Sequence, residues 1–340
     1  MEYRHLGTSG LRVSSIGLGT NNFGDLMDAR QAAAVIHRAV DLGVNFLDTS
    51  NSYGEGLAEE YIGRAVRDVR DKVLIATKVG RAAAARPAAD LPGTGDPEGA
   101  SRHAVMRAAE QSLRRLATEY IDLYLVHLWD AQVPIVETLR ALDDLVRSGK
   151  VRHVGCSGFA AWQISQAVAT SRALGMTTFS CAMTEYNLLQ RDAEREIVPC
   201  CRAWGLGLIP FFPLAGGLLT GKYRQAQPPP DGTRLATARQ RPDETWAARK
   251  RRFLSIVGGH LAGAMTEQNF ALLERLEQFA AERGHTLTEL ALAWLLTNPA
   301  VSGVIPGATS PEQVTANVRA GEWRLTADDL AALDRVQAVV

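Results

Sequence analysis

Four titratable residues in the first half of the chain have the types and spacing for acid–base chemistry: Asp48, Tyr53, Lys78 and His127. Asp48 ends an apolar run in FLDTSNSYGEG, and Tyr53 follows five residues on. Lys78 ends the run in VLIATKVG, and His127 ends the run in YLVHLWD. Each has an ordinary reading when taken alone. Asp48 fits a turn or helix start, and Tyr53 a surface aromatic. Lys78 fits a solvated loop charge, and His127 a satisfied buried histidine. Together those readings weaken, because Lys78 and His127 follow apolar runs directly, where a charge is costly to bury without a partner.

Residues this far apart need a scaffold to meet. Eight strand-like runs lie along the chain, at 16–20, 45–49, 73–78, 121–127, 151–157, 179–186, 206–212 and 303–306. Most are nearly all apolar, as expected of strands buried on both faces. Helical patterns alternate with them, at 29–42, 60–69, 103–116, 133–147, 161–174, 192–204, 287–297 and 311–320. Eight such βα units predict a parallel sheet that closes into an α/β (β/α)8 TIM barrel, which leaves no sheet edge. An open doubly wound sheet would show GxGxxG after its first strand, and the GLGTNNFG found there lacks that spacing. In a barrel the C-terminal strand ends share one rim, so the four side chains can converge.

Several segments exceed the eight units. Residues 3–15 read as a hairpin turning at Ser9-Gly10 and capping the barrel bottom. Long loops at 81–100 and 223–265 leave the C-terminal ends of strands, where lids over barrel sites lie. Two further helices are expected at 270–283 and 327–336. The expected organisation is one barrel domain over 1–340.

Composition narrows the partners. Lys and Arg total 37 and Asp and Glu total 37, so the net charge is zero, which argues against a dedicated nucleic-acid binder. The four cysteines, at 156, 181, 200 and 201, form no CxxC pair, so neither a disulfide scaffold nor a bound metal is expected. The N-terminal MEYRHLGTSG has no apolar core of a signal peptide. The uncharged stretch 203–221 has the length of a membrane span but holds Pro210, Pro213 and five glycines, and reads as strand and loop. A cytoplasmic protein without a membrane partner is expected.

The chain resembles the aldo-keto reductases over essentially its whole length, in particular their long-chain bacterial branch. The resemblance rests on GLGTNNFG, FLDTSNSYGEGLAEEYIGRAV, IATKVG, DLYLVHLWD, SGKVRHVGCSGF, EYNLLQR, PLAGGLLTGKY and IPGATSPEQVTANV, in the family's order. It implies a (β/α)8 barrel with an N-terminal hairpin, and reduction of a carbonyl to an alcohol by hydride from NADPH, with NAD as the other possible cofactor. It assigns Tyr53 as general acid, Lys78 and Asp48 as the pair that tunes it, and His127 as the group that orients the carbonyl. A free tyrosine has a pKa of about 10, and an adjacent ammonium favours its phenolate. The resemblance also places cofactor at Gly19, Thr20, Asn21 and Asp48, at Phe211 under the nicotinamide ring with Phe212 and Pro213 beside it in sequence, and at Leu214, Gly216, Leu218, Thr220 and Lys222 along the pyrophosphate. Gly307, Thr309, Gln313 and Asn317 would hold the adenosine phosphate end, and Arg234 on the long loop is a further expected cofactor contact that would have to swing over it.

Two departures stand at the nicotinamide. The family commonly has Ser-Asn where this chain has Ser157-Gly158, and often Gln where Met183 stands. Asn187 or Asn21 is the alternative source of an amide. The last motif offers hydroxyls and Gln313 rather than a cation for a 2′-phosphate, which leaves Arg224, Arg234 or the basic cluster at 249–252 to supply one. Phe23, Trp129, Phe159 and Tyr186 are the expected walls of the substrate pocket, for an aldehyde, keto-sugar or small ketone. Alternatives are a regulatory subunit resembling potassium-channel β subunits, whose branch shares GLLTGKY, and a dehydrogenase working in the oxidative direction. Whether the chain is a monomer or a homo-oligomer stays open.

Overall fold

The computed structural model describes residues 1–81, 99–225, 227–228, 230, 261 and 263–337. Most of both long rim loops, with Arg234 and the basic cluster at 249–252, lies outside the described residues.

A hairpin opens the chain. Strands β1 (Tyr3–His5) and β2 (Arg12–Ser14) pair antiparallel, with Tyr3 opposite Ser14. Seven strands then form one parallel sheet in sequence order: β3 (Leu18–Gly19), β4 (Phe46–Asp48), β5 (Leu74–Val79), β6 (Ile121–Val126), β7 (Val151–Ser157), β8 (Cys181–Glu185) and β9 (Gly207–Phe211). The eighth predicted strand is present as single bridges. Val301 meets Leu208 on one side, and Val304 and Gly307 meet Ile16 and Gly19 on the other, so the segment closes the ring. Pro306 has no N–H to give a regular ladder, though its carbonyl still accepts from Gly19 at 3.1 Å. The curled sheet with its surrounding helices is that of a (β/α)8 fold.

Among the described residues, ten helices follow the barrel order. They are α1 (Ala29–Asp41), α2 (Leu57–Ala65), α3 (Arg102–Leu116), α4 (Ile135–Arg147), α5 (Ala161–Ala173), α6 (Ile197–Trp204), α7 (Glu267–Ala281), α8 (Leu287–Thr297), α9 (Pro311–Ala320) and α10 (Ala327–Gln337). Their starts follow local chemistry. Asp28 and Gln31 form a capping box at α1, as do Thr286 and Glu289 at α8, while Ser310 caps α9 with Pro311 in its first turn. The helix expected over 192–204 is split, with a short 3-10 turn at Asp192–Glu194 before α6. Pro199 is the reason: it fits a first helical turn but breaks an interior one, so α6 starts just ahead of it. The sixth strand is shorter than its expected run, and α2 begins three residues before its expected start.

Strand residues alternate between two cores, as a period of two requires. Phe46, Ala76, Leu123, Leu125, Cys181, Met183 and Ile209 fill the barrel interior. Leu47, Ile75, Tyr124, Ala182 and Leu208 pack outward against the helices. Leu6 and Val13 of the hairpin join the interior cluster. Gly7 lets the hairpin seat closely: at φ +58, an added Cβ would lie 2.5 Å from Gly205 O and Gly207 N. Gly207 opens β9, and Ser180, whose carbonyl would lie 2.8 Å from the same Cβ, directly precedes β8, so the hairpin caps the barrel bottom. Among the described residues no helix is long and apolar enough to cross a membrane.

Candidate active site

The interior register continues upward into the rim. Phe46 is followed on the same face by Asp48, Ala76 by Lys78, and Leu125 by His127. An apolar plug thus gives way, one pleat higher, to three ionisable groups. Asp48, Lys78 and His127 are 3%, 2% and 9% exposed, so each charge there needs a partner.

Lys78 has its partners. Its Nζ donates to Asp48 Oδ1 at 2.6 Å, to the Thr49 carbonyl at 2.7 Å and to the Tyr53 hydroxyl at 3.3 Å. An ammonium has three N–H bonds, and here each has an acceptor. Burial works against this charge, but Asp48 and then Tyr53 outweigh it, so the ammonium is held above its ordinary value. Burial also raises the Asp48 carboxyl, and Lys78 brings it only part of the way back. Tyr53 opens a 3-10 turn, Tyr53–Gly56, directly after β4, and its N–H donates to the Ser50 carbonyl at 3.1 Å. Its ring meets His127 edge-on, with centroids 6.2 Å apart. Burial, then the positive charges of Lys78 and Arg81, hold the His127 imidazole well below its ordinary range, so it is neutral near pH 7. The four expected catalytic side chains therefore meet in one place.

Two groups of supporting residues escaped the sequence reading. Ser50 Oγ lies 3.2 Å from His127 Nδ1. Behind Lys78, on the outer face of β5, Thr77 donates to Glu59 Oε1 at 2.5 Å, and Arg115 holds Glu59 Oε2 at 2.7 Å. This ties α2, which follows the Tyr53 turn, to the strand that carries Lys78. A polar residue one position before a rim lysine is the only local signal for it.

The expected cofactor residues, apart from Arg234, which lies outside the described residues, are at or beside the strand ends around the rest of the rim. Gly19 pairs with Asp48, and Ser157 pairs with Met183. Thr20 is buried, and its hydroxyl donates to the Asp48 carbonyl at 2.9 Å. Asn21 is half-buried beside it. Met183 is 1% exposed inside the barrel, and the Leu218 side chain is fully buried. Phe211 and Phe212 meet edge-on at 5.5 Å. Asn187 is committed to this loop: its amide donates to the Phe212 carbonyl at 3.0 Å, and its Oδ1 accepts from Leu189 and Gln190. The loop is strained and turns its backbone sharply, with φ of +51 at Phe212, +47 at Ala215, +66 at Gly216 and +109 at Gly217. Pro213 is buried and Leu214 half-buried within it. Lys222 lies over Gly217, where an added Cβ would sit 3.2 Å from its Nζ. Thr220 Oγ1 donates to the Gly217 carbonyl at 2.7 Å. This bare backbone beside an ammonium is the kind of concavity that accepts an anion.

On the neighbouring part of the rim, beyond the segment bridged to β9 at Val301, Thr309 donates to Gln313 Oε1 at 2.9 Å, and Asn317 donates to the Gly307 carbonyl at 3.5 Å. Both contacts sit at the first turns of α9, a helix N-terminus suited to phosphate. A cavity of about 310 Å³ opens between Glu185, Asn187, Phe212, Gly216 and Asn269.

Of the four expected substrate walls, Trp129 keeps exposed surface beyond His127. Phe23, Phe159 and Tyr186 are buried in the barrel–helix layer instead. Tyr186 falls on the outward register of β8. It packs on Trp294 at 5.1 Å and gives its hydroxyl to Glu194 at 2.8 Å. Phe159 follows the positive-φ turn at Gly158, which sends its ring against Trp129 and Phe179. Phe23 is fully buried.

Comparison with known proteins agrees with this geometry. The model of the aldo/keto reductase family matches residues 15–338. An uncharacterized oxidoreductase of Bacillus subtilis (strain 168) is 36% identical, over 99% of this chain and 96% of its own length. A probable voltage-gated potassium channel subunit beta of Oryza sativa subsp. japonica is 33% identical, over 100% and 97%. The L-glyceraldehyde 3-phosphate reductase of Escherichia coli (strain K12) is 32% identical, over 98% and 92%.

Proposed function

The chain belongs to the aldo/keto reductase family and is an NAD(P)H-dependent oxidoreductase; from that premise we propose that it reduces a small aldehyde, keto-sugar or ketone with NADPH, using Tyr53 as proton donor. One observation carries this reading. A buried ammonium, Lys78, is shared between a carboxylate at 2.6 Å and a tyrosine hydroxyl at 3.3 Å, beside a neutral histidine.

The residues present fit a dinucleotide. The positive-φ loop 212–217 with Lys222, and the start of α9 with Thr309 and Gln313, offer two anion sites on neighbouring parts of the rim, since β9 and the closing segment are bridged at Leu208 and Val301. When bound, the reduced nicotinamide supplies the hydride that reaches the carbonyl carbon. Negative charge then grows on the carbonyl oxygen, and preorganised donors lower that cost. Tyr53 gives its hydroxyl proton to this oxygen. The Lys78 ammonium, donating to the phenol oxygen, stabilises the charge left behind. Asp48 keeps Lys78 charged and aimed. His127, being neutral, has an N–H for the same oxygen and sets its angle. Trp129 walls the substrate side, and burial of Asp48, Lys78 and His127 keeps water from the charges beside Tyr53.

The reductive direction fits a cytoplasmic protein supplied with NADPH, and the whole chain is taken as one barrel unit. The plant relative named as a channel subunit favours a second reading, a regulatory NADP-binding subunit. One panel separates them: purified protein with NADPH or NADH and glyceraldehydes, keto-sugars, pyridoxal, glyoxals and benzaldehydes, followed at the reduced-nicotinamide absorbance. Turnover with NADPH on at least one carbonyl class is expected. Tight NADPH binding with no turnover across the panel would favour the regulatory reading, and a clear preference for NADH would overturn the cofactor assignment.

A further inference from the structure

Beside His127 lies a buried polar side chain that the proposed proton transfer does not use. Ser50 is fully buried, and its hydroxyl lies 3.2 Å from His127 Nδ1. Ser52 approaches the same oxygen twice. Its backbone N–H donates to Ser50 Oγ at 3.3 Å, and its hydroxyl oxygen is 3.0 Å away. A hydroxyl has one proton and two lone pairs. Ser52 offers a donor to each lone pair, its N–H to one and its O–H to the other, and that arrangement leaves the Ser50 proton for an acceptor. Asn51 Oδ1 stands farther off, at 3.4 Å, than Nδ1.

We propose that Ser50 donates to His127 Nδ1 and fixes the imidazole as the tautomer with its proton on Nε2, making the site selective for a ligand oxygen that accepts a hydrogen bond. The proposal rests on His127 being the group that meets the substrate carbonyl. In the other tautomer, a bare Nε2 lone pair would face the carbonyl oxygen and repel it. The relay runs Ser52 O–H to Ser50 O–H to Nδ1, and no water is needed in it. Ser50 also accepts the Tyr53 N–H through its own carbonyl, at 3.1 Å. One residue thereby braces the proton donor by its backbone and the carbonyl-orienting group by its side chain. Ser50 is a positioning residue, acting through His127.

The test is nitrogen-15 NMR on the full chain with labelled histidine, with His127→Asn used to identify the His127 signals. The expected wild-type spectrum has a protonated Nε2 and an unprotonated Nδ1. Ser50→Ala should give mixed or reversed tautomers and lower kcat/KM for carbonyl reduction about tenfold, and Ser50→Thr should recover most of both. A wild-type His127 with its proton on Nδ1 overturns the proposal, whatever Ser50→Ala does to folding. Unchanged tautomer and turnover in folded Ser50→Ala overturn it equally. Tyr53→Phe measured in parallel keeps the two readings apart: turnover surviving in that variant removes the reductase mechanism and leaves the tautomer result standing.

Discussion

Thr77 and Lys78 are neighbours in β5, and they serve two buried ion pairs of different kinds. On the inner face Lys78 meets Asp48, with 3% and 4% of their side-chain surface exposed. On the outer face Thr77 joins the Arg115–Glu59 pair, exposed 23% and 0%. The outer pair is closed chemically. An arginine cannot lose its proton, and Glu59 has both oxygens taken by Arg115 and Thr77. The inner pair uses lysine, whose third N–H points at a tyrosine hydroxyl that can lose a proton. An ion pair becomes chemistry, rather than scaffolding, when one of its donors is aimed at a group that changes charge.

The largest expected effect lies on the inner side. Tyr53→Phe removes the proton donor, so turnover should fall about 10²–10⁴-fold, while stability changes by about 1 kcal/mol for one hydrogen bond and NADPH still binds. Near wild-type turnover would break the distinction between the pairs. Lys78→Met comes next. It strands Asp48 without a cation, which costs about 3–5 kcal/mol for a buried pair, and turnover should fall with it. A variant as stable as wild type in urea would mean that Asp48 is protonated in the fold.

Glu59→Gln tests the outer pair. Arg115 keeps some contact with water, so the loss should be smaller, about 2–3 kcal/mol, and kcat of the folded fraction should drop less than in Lys78→Met. A collapse of kcat with stability intact would move Glu59 from scaffold to catalysis.

The charge of Lys78 also reaches His127, and that sharpens the contrast through pH. The folded imidazole titrates well below its ordinary range, so the unfolded chain takes up a proton that the folded one refuses. Stability from this group is therefore complete above about pH 6.5 and is lost as pH falls from there towards the depressed value, by up to about 1.4 kcal/mol per pH unit. His153, half-buried and also lowered, acts in the same direction. His127→Asn should flatten the slope of stability between pH 5 and 7 without abolishing it. An unchanged slope would mean that His127 is not held neutral by burial and Lys78.

The smallest expected effect is at Gly158. Its φ of +64 suits Asn, and the neighbouring Leu128 side chain, 2.8 Å from an added Cβ, must move aside. Gly158→Asn should tighten cofactor binding two- to tenfold, about the worth of one hydrogen bond. Weaker binding, measured by fluorescence titration, would mean that Leu128 cannot yield.

Much of this was legible in the residues. Apolar runs marked seven of the strands, because strands buried on both faces need little polarity. Asp48, Lys78 and His127 were legible because they end those runs, and Tyr53 because it follows Asp48 by five residues. The eighth strand was overread: 303–306 is apolar enough, but Pro306 and Gly303 weaken its pairing. Ser50 and Glu59 stayed hidden because their partners are distant in sequence: Glu59 meets Thr77 only when α2 packs on β5, and Ser50 meets His127 only when β4, β5 and β6 pair side by side. Phe23, Phe159 and Tyr186, expected as pocket walls from neighbours on the rim, are buried, with the register of β8 carrying Tyr186 outward and the positive-φ Gly158 turning Phe159 towards Trp129 and Phe179.

The bridges that close the ring join Ile16 and Gly19 to Val304 and Gly307, near opposite ends of the chain. Such distant pairing slows folding, since loop entropy is lost before the contact forms. During synthesis, which proceeds from the N-terminus at about 5–20 residues per second, β3 waits with one edge bare until the last bridge residues emerge. The apolar interior of Leu123, Leu125 and Ile209 waits with it. The nascent chain therefore passes through an open, adhesive sheet, and its yield in a cell depends on how quickly its final stretch is delivered and how well a chaperone covers that edge until then.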